Sequence, residues 1–155
     1  MAAIKEYVID RVSTRLIKEE TIYTTESTYN FTSPDQIGRA MNALTEDLDK
    51  EHLYILHLNT KNTLQSINLL SVGTINSGLV CPREVFKSAL LANATSIIIA
   101  HNHPSGDPTP SKEDILTTKR LLEAGRLLGI NVLDHVIVGN GDYYSIREEE
   151  GYVFN

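Results

Sequence analysis

Ser96-Ile97-Ile98-Ile99-Ala100-His101-Asn102-His103-Pro104-Ser105-Gly106-Asp107-Pro108-Thr109-Pro110-Ser111-Lys112-Glu113-Asp114 is the stretch around which the rest of the chain is organised. Its first five residues are apolar and mostly β-branched, as a strand buried on both faces should be. The segment holding Pro104, Pro108 and Pro110 reads as an ordered loop. Ser111, three residues before Asp114 and followed by a long amphipathic run, reads as the start of a helix. A strand, a stiff loop and a helix in that order predict an α/β protein with chemistry at the junction.

Residues alternate across a strand, so His101 and His103 project from one face and both imidazoles can reach one ion. Asp114 arrives from the helix. Two histidines, one carboxylate and one open position make the donor set of a catalytic rather than a structural zinc site. The prolines limit the freedom of the backbone between these ligands and lower the cost of ordering it. A plainer alternative stands beside this: Ser111-x-x-Asp114 as a helix cap only, and Pro-Ser-Gly-Asp-Pro as an ordinary turn-rich loop.

Working outward, Ser33-Pro34 signals a helix over residues 34–48, with Ile37, Met41, Leu44 and Leu48 on one face. Residues 51–59 and 63–71 read as a hairpin that Glu51 begins. Residues 73–78 are a loop, and Pro82 opens a helix to residue 93 with Val85, Phe86, Ala89 and Leu90 inward. Leu122, Leu127 and Leu128 extend the helix after Asp114 until Gly129 ends it. Residues 131–138 and 142–146 form strands joined at Asn140-Gly141, a tight-turn signal. Residues 1–32 are expected to be accessory strands (within 7–12, 16–17 and 21–23) and a Thr/Ser-rich linker, and residues 33–155 one domain. The fold class is α/β, a mixed β-sheet flanked by helices.

With 155 residues, 41% of them hydrophobic and 22% charged, the chain can bury a core without staples, and no apolar run is long enough to span a membrane. The N-terminus becomes charged too early for a secretory signal, which points to the cytoplasm. The one cysteine, Cys81, excludes a disulfide framework and a multi-cysteine zinc cage. A net charge of −6 argues against a broad phosphate-neutralising surface, so nucleic acid is a possible partner that charge does not support.

His-x-His-Pro, six residues, Ser, two residues and Asp, from His101 to Asp114, resembles the zinc motif of the JAMM/MPN-plus metalloproteases. His-Asn-His-Pro-Ser-Gly, with Pro-Arg-Glu-Val-Phe-Lys-Ser-Ala-Leu upstream and Val-Leu-Asp-His-Val-Ile-Val-Gly downstream, resembles the RadC family over residues 34–152. The resemblance implies a cytidine-deaminase-like sheet with His101, His103 and Asp114 as Zn2+ ligands and Ser111 assisting at the metal. It also implies an upstream glutamate as general base. Glu51 and Glu84 compete for that role, and Glu51 is favoured by its order and its distance from the histidines.

The implied function is a zinc-dependent hydrolase of metallopeptidase or isopeptidase type, acting on an amide bond of a protein or peptide substrate. Asn102 departs from the Ser or Thr common between the histidines in the deubiquitinating members, so their substrate does not carry over. Two further functions remain open: a DNA-repair-associated role, the label the RadC family has traditionally carried, and a binding module that keeps the metal without turnover. The helix-hairpin-helix module of the full-length family is not seen ahead of this domain, so a stand-alone form is expected. A zinc nucleobase deaminase is not supported, because His-x-Glu and Pro-Cys-x-x-Cys are missing. Asp134 and His135 are adjacent on a strand and point to opposite faces, so they form no couple. His52, His57 and Cys81 read as structural or surface residues.

Overall fold

The run Ser96 to Ala100 lies in β3 (Ser96–Asn102), the middle strand of a five-stranded sheet ordered β2-β1-β3-β4-β5. The computed structural model describes residues 11–21, 33–73 and 80–155. All seven residues of β3 are buried, as a strand covered on both faces requires. β1 (His52–Leu58) is antiparallel to both β2 (Leu64–Val72) and β3, β3 is parallel to β4 (Asn131–Gly139), and β5 (Asp142–Ser145) closes the other edge antiparallel to β4.

Alternation divides the core between the two faces of the sheet. Leu53, Ile55, Ile97, Ile99 and Ile137 pack with Val85, Phe86 and Leu121 from α2 (Pro82–Leu91) and α3 (Lys112–Leu128). Tyr54, Leu56, Ile98, Val136 and Val138 pack with Ile37 and Met41 of α1 (Pro34–Thr45). A short helix, α4 (Ile146–Glu149), and a 3-10 turn end the chain. No helix among the described residues is long and apolar enough to cross a membrane.

Local signals account for most element ends. Gly129, at φ +70°, caps α3, and Asn140 and Gly141, at φ +51° and +82°, make the β4–β5 turn. α1 stops at Thr45, short of residue 48, because the Leu48 N–H bonds the Thr45 carbonyl at 3.1 Å and tightens the last turn out of α geometry. The N-terminal strands are corrected where they can be seen. Residues 11–21 form no strand, and Val12 and Ile17 are 82% and 79% exposed, so their alternation has no ladder to join among the described residues. The remainder of those strands, the linker and most of the 73–78 loop lie outside the described residues.

Candidate metal centre

β3 carries His101 to the rim of the sheet, fully buried, and His103 follows just beyond its end. The His103 N–H donates to the Val138 carbonyl at 2.8 Å, so the chain stays aligned with β4 for one more step before the loop departs. The loop turns back at once through Gly106, at φ +86°, whose N–H donates to the His103 carbonyl at 2.9 Å. Gly139 on β4 lets the loop lie that close: a Cβ there would stand 2.8 Å from the Gly106 backbone. α3 then starts with Ser111 as its N-cap and Asp114 in its first turn, and α3 packs on the sheet face that His101 shares with Ile97 and Ile99.

The three predicted ligands meet. His101 Nε2 lies 3.0 Å from His103 Nε2 and 3.4 Å from Asp114 Oδ1, and His103 Nε2 lies 3.7 Å from Asp114 Oδ2. Donors held about 2.0–2.1 Å from one tetrahedral ion lie roughly 3.4 Å from each other, so the spacing fits a small divalent cation. Ser111 organises the carboxylate. Its N–H and hydroxyl both donate to Asp114 Oδ2, at 2.8 and 2.6 Å, and its Oγ accepts the Asp114 N–H at 3.1 Å. The capping box therefore includes Asp114, one of the three groups that could hold a metal ion.

Hydrogen bonding behind the ligands fixes which nitrogens face inward. The single Thr118 hydroxyl hydrogen goes to the Asp114 carbonyl at 2.7 Å, so His135 Nδ1–H must donate to Thr118 Oγ1, also at 2.7 Å. His135 Nε2 is then an acceptor, and His101 Nδ1–H donates to it at 2.9 Å. His103 Nδ1–H donates to the Asp107 carbonyl at 2.8 Å. With both rings neutral, the two Nε2 atoms are left as lone pairs, facing each other beside a carboxylate. A cation at this point, a metal ion or a proton on His103, offsets that arrangement, and imidazoles whose outer N–H is so engaged are the usual metal-ligating form.

The electrostatics separate the two imidazoles. Burial, then His135, hold the His101 imidazole well below its ordinary value, so it stays neutral and able to ligate. Hydrogen bonding to Asp114 raises His103, and the Glu51 carboxylate adds to that rise. Burial pushes the Asp114 carboxyl up, but His103, His101 and Ser111 outweigh it and hold the group well below the usual carboxylate range. His135, entirely enclosed, is pushed down to about 4 by burial.

The two competing glutamates lie in different settings. Glu51 precedes β1, and its charge reaches His103. Glu84 is paired with Lys87 and Arg83 on the exposed side of α2, and the Lys87 ammonium lowers its pKa. Alongside the ligands, a cleft of about 920 Å³ runs between the end of α1, the His103–Asp107 loop and the β4–β5 turn, lined in part by Thr45, Glu46, His103, Asp107 and Asn140.

A family model described as a RadC-like JAB domain matches residues 31–152. The chain belongs to the RadC-like JAB family. Its five-stranded mixed sheet flanked by helices is the architecture of a JAB/MPN domain. Similar proteins include a UPF0758 protein of Methanococcoides burtonii, 46% identical over 138 residues that make up 89% of this chain and 60% of that one. A UPF0758 protein of Caldanaerobacter subterraneus subsp. tengcongensis is 50% identical over 129 residues, 81% of this chain and 54% of that one. The JAB domain described here thus spans about 54–60% of the length of these two curated relatives.

Three residues of the RadC-like JAB centre escape a reading of the sequence: His135, Thr118 and Asn102. The expectation that Asp134 and His135 face apart holds. The Asp134 carboxylate accepts from the Ser145 hydroxyl at 2.6 Å and the Arg147 N–H at 3.1 Å, while His135 turns to His101. That separation was itself the usable signal, since β4 paired parallel to β3 puts His135 opposite Ile99 and on the face of α3. His57 is buried between Ser66 of β2 and Ser88 of α2, on the sheet face that carries His101 but four residues along β1 from Leu53, and Cys81 is half-buried at the N-cap of α2.

Proposed function

We propose that this domain is a zinc-dependent hydrolase that cleaves an amide bond in a protein or peptide substrate. The observation that carries the reading is the convergence of the His101 and His103 Nε2 atoms, 3.0 Å apart, on the Asp114 carboxylate, with both Nδ1–H groups engaged behind the site. His101, His103 and Asp114 would hold the ion, and its donor set of two imidazoles and one carboxylate keeps a position open for substrate or water. Bound there, zinc supplies Lewis acidity, polarising a carbonyl and lowering the pKa of water towards neutrality.

The chain's own groups do the rest. The Glu51 carboxylate takes a proton from the attacking water and returns it to the leaving amine. Ser111 keeps Asp114 ionised and oriented, and its hydroxyl would have to turn from Asp114 Oδ2 to reach a developing oxyanion. The substrate backbone lies along the polar cleft that opens at His103. A reducing cytoplasm is the compartment this reading assigns.

The test is metal analysis of the purified protein supplied with zinc, followed by a peptide and isopeptide library screened with wild type and Glu51→Gln. One equivalent of zinc and amide cleavage by wild type alone are expected. Absence of any stoichiometric divalent metal, or cleavage undiminished in Glu51→Gln, would overturn it.

A further inference from the structure

The β1–β3 ladder sets Leu53 opposite His101. Continued past its end in the same antiparallel register, it sets residue 52 opposite 102 and Glu51 opposite His103. At this step the Asn102 side chain carries the bonding between the two strands. Asn102 Oδ1 accepts the His52 N–H at 2.7 Å, and Asn102 Nδ2 donates to the Lys50 carbonyl at 3.0 Å. The first of those groups belongs to the peptide that follows Glu51 and the second to the peptide that precedes it. One side-chain amide therefore holds both peptide planes that meet at the Glu51 Cα. From the other side the Gly73 N–H donates to the Glu51 carbonyl at 2.8 Å.

Asn102 is 4% exposed, so leaving either bond unmade would strand a polar group of a buried side chain. The geometry also explains a residue that departs from the wider motif. A serine or threonine has one polar atom, too short to accept from residue 52 and donate to residue 50 at once, whereas an amide offers a separate acceptor and donor.

We propose that Asn102 is a positioning residue whose side-chain amide fixes the backbone on both sides of Glu51 and so aims the Glu51 carboxylate at the His101, His103 and Asp114 site. This rests on the reading of Glu51 as the base. Asn102 itself touches no reacting atom, and its effect is the direction in which Glu51 leaves the sheet.

The test uses the full chain with 13C-labelled glutamate, the Glu51 carboxyl resonance being assigned with Glu51→Gln, and zinc alone as probe. In wild type, zinc shifts the Glu51 resonance. In Asn102→Ala, zinc binds with the same stoichiometry and the Ile98 and Ile99 amides stay protected from exchange, but the Glu51 shift is lost. Asn102→Asp, which keeps the acceptor for His52 and removes the donor to Lys50, gives a shift smaller than wild type and guards against misfolding of the alanine variant. A zinc-induced shift equal to wild type in either variant overturns the proposal, as does a wild type that binds zinc with no shift at Glu51. Wild type that binds no zinc is a separate result: it removes the hydrolase reading and this role with it.

Discussion

His101 Nδ1 lies 2.9 Å from His135 Nε2, so a histidine that is not in the ligand set decides which nitrogen of His101 faces the site. The chain continues through Thr118 to the carbonyl of Asp114, joining two of the three ligands behind the site. His135→Leu is expected to weaken zinc binding roughly 10–100-fold, in line with the loss of other outer-shell partners. His135→Gln, whose carbonyl can accept the same N–H, should retain more of the affinity. Competition against a chromophoric chelator measures both, and equal affinities for wild type and His135→Leu would remove the orienting role.

Because the candidate ligands come from β3, the residue just past its end and the start of α3, zinc should stabilise the fold as well as occupy a site. At free zinc about 100 times the dissociation constant, the gain is about 2.7 kcal/mol. Thermal melts should rise with zinc for wild type and fall back with a chelator. His103→Ala and Asp114→Asn should show neither change.

Gly139 separates packing from backbone strain. Gly139→Ala places a Cβ against the Gly106 backbone and should cost about 1–3 kcal/mol. The same push displaces the loop that supplies the His103 partner Asp107, so zinc affinity should fall too. Gly129→Ala is the control. It meets no atom within 4 Å but strains a residue at φ +70°, and should lower stability while sparing zinc binding.

Acid should destabilise the protein partly through His57. The Ser88 hydroxyl donates to the Val85 carbonyl, so Ser88 Oγ accepts His57 Nε2–H, and Ser66 donates to His57 Nδ1. This neutral form is buried, and burial lowers the His57 pKa to about 4. Unfolded, the ring protonates near pH 6.5, so the unfolded state takes up the proton first as pH falls. Stability is complete above that value and is lost towards pH 4, by about 2–4 kcal/mol for this group. Urea unfolding of chelated protein across that range should show the loss. His57→Gln should flatten the curve in part, because His135 is shifted in the same direction.

The elements that could be read from the sequence are those whose cause is local. β3 announces itself by β-branched residues, α3 by Ser111 and Gly129 at its ends, and the last hairpin by Asn140-Gly141. His101, His103 and Asp114 were legible for the same reason, since strand alternation and a helix start are properties of neighbouring residues. His135 and Asn102 were not, because their partners are set by register: β4 against β3 for the one, β1 against β3 for the other. The alternation read within residues 7–23 makes no strand at 11–21, where no ladder is there to pair with it among the described residues. At Ser111 a cap and a part of the site were both open, and its bonds to Asp114 show a cap whose acid is one of the three groups brought together.

That double duty limits what Ser-x-x-Asp can testify to. A descendant that gave up chemistry would still need a hydroxyl and an acid to begin α3, a cap of about 1 kcal/mol. The serine and aspartate would outlive the reaction. Whether a related chain still works is therefore better judged from His103 and Glu51, for neither is claimed by the helix start and each is free to drift once no substrate depends on it.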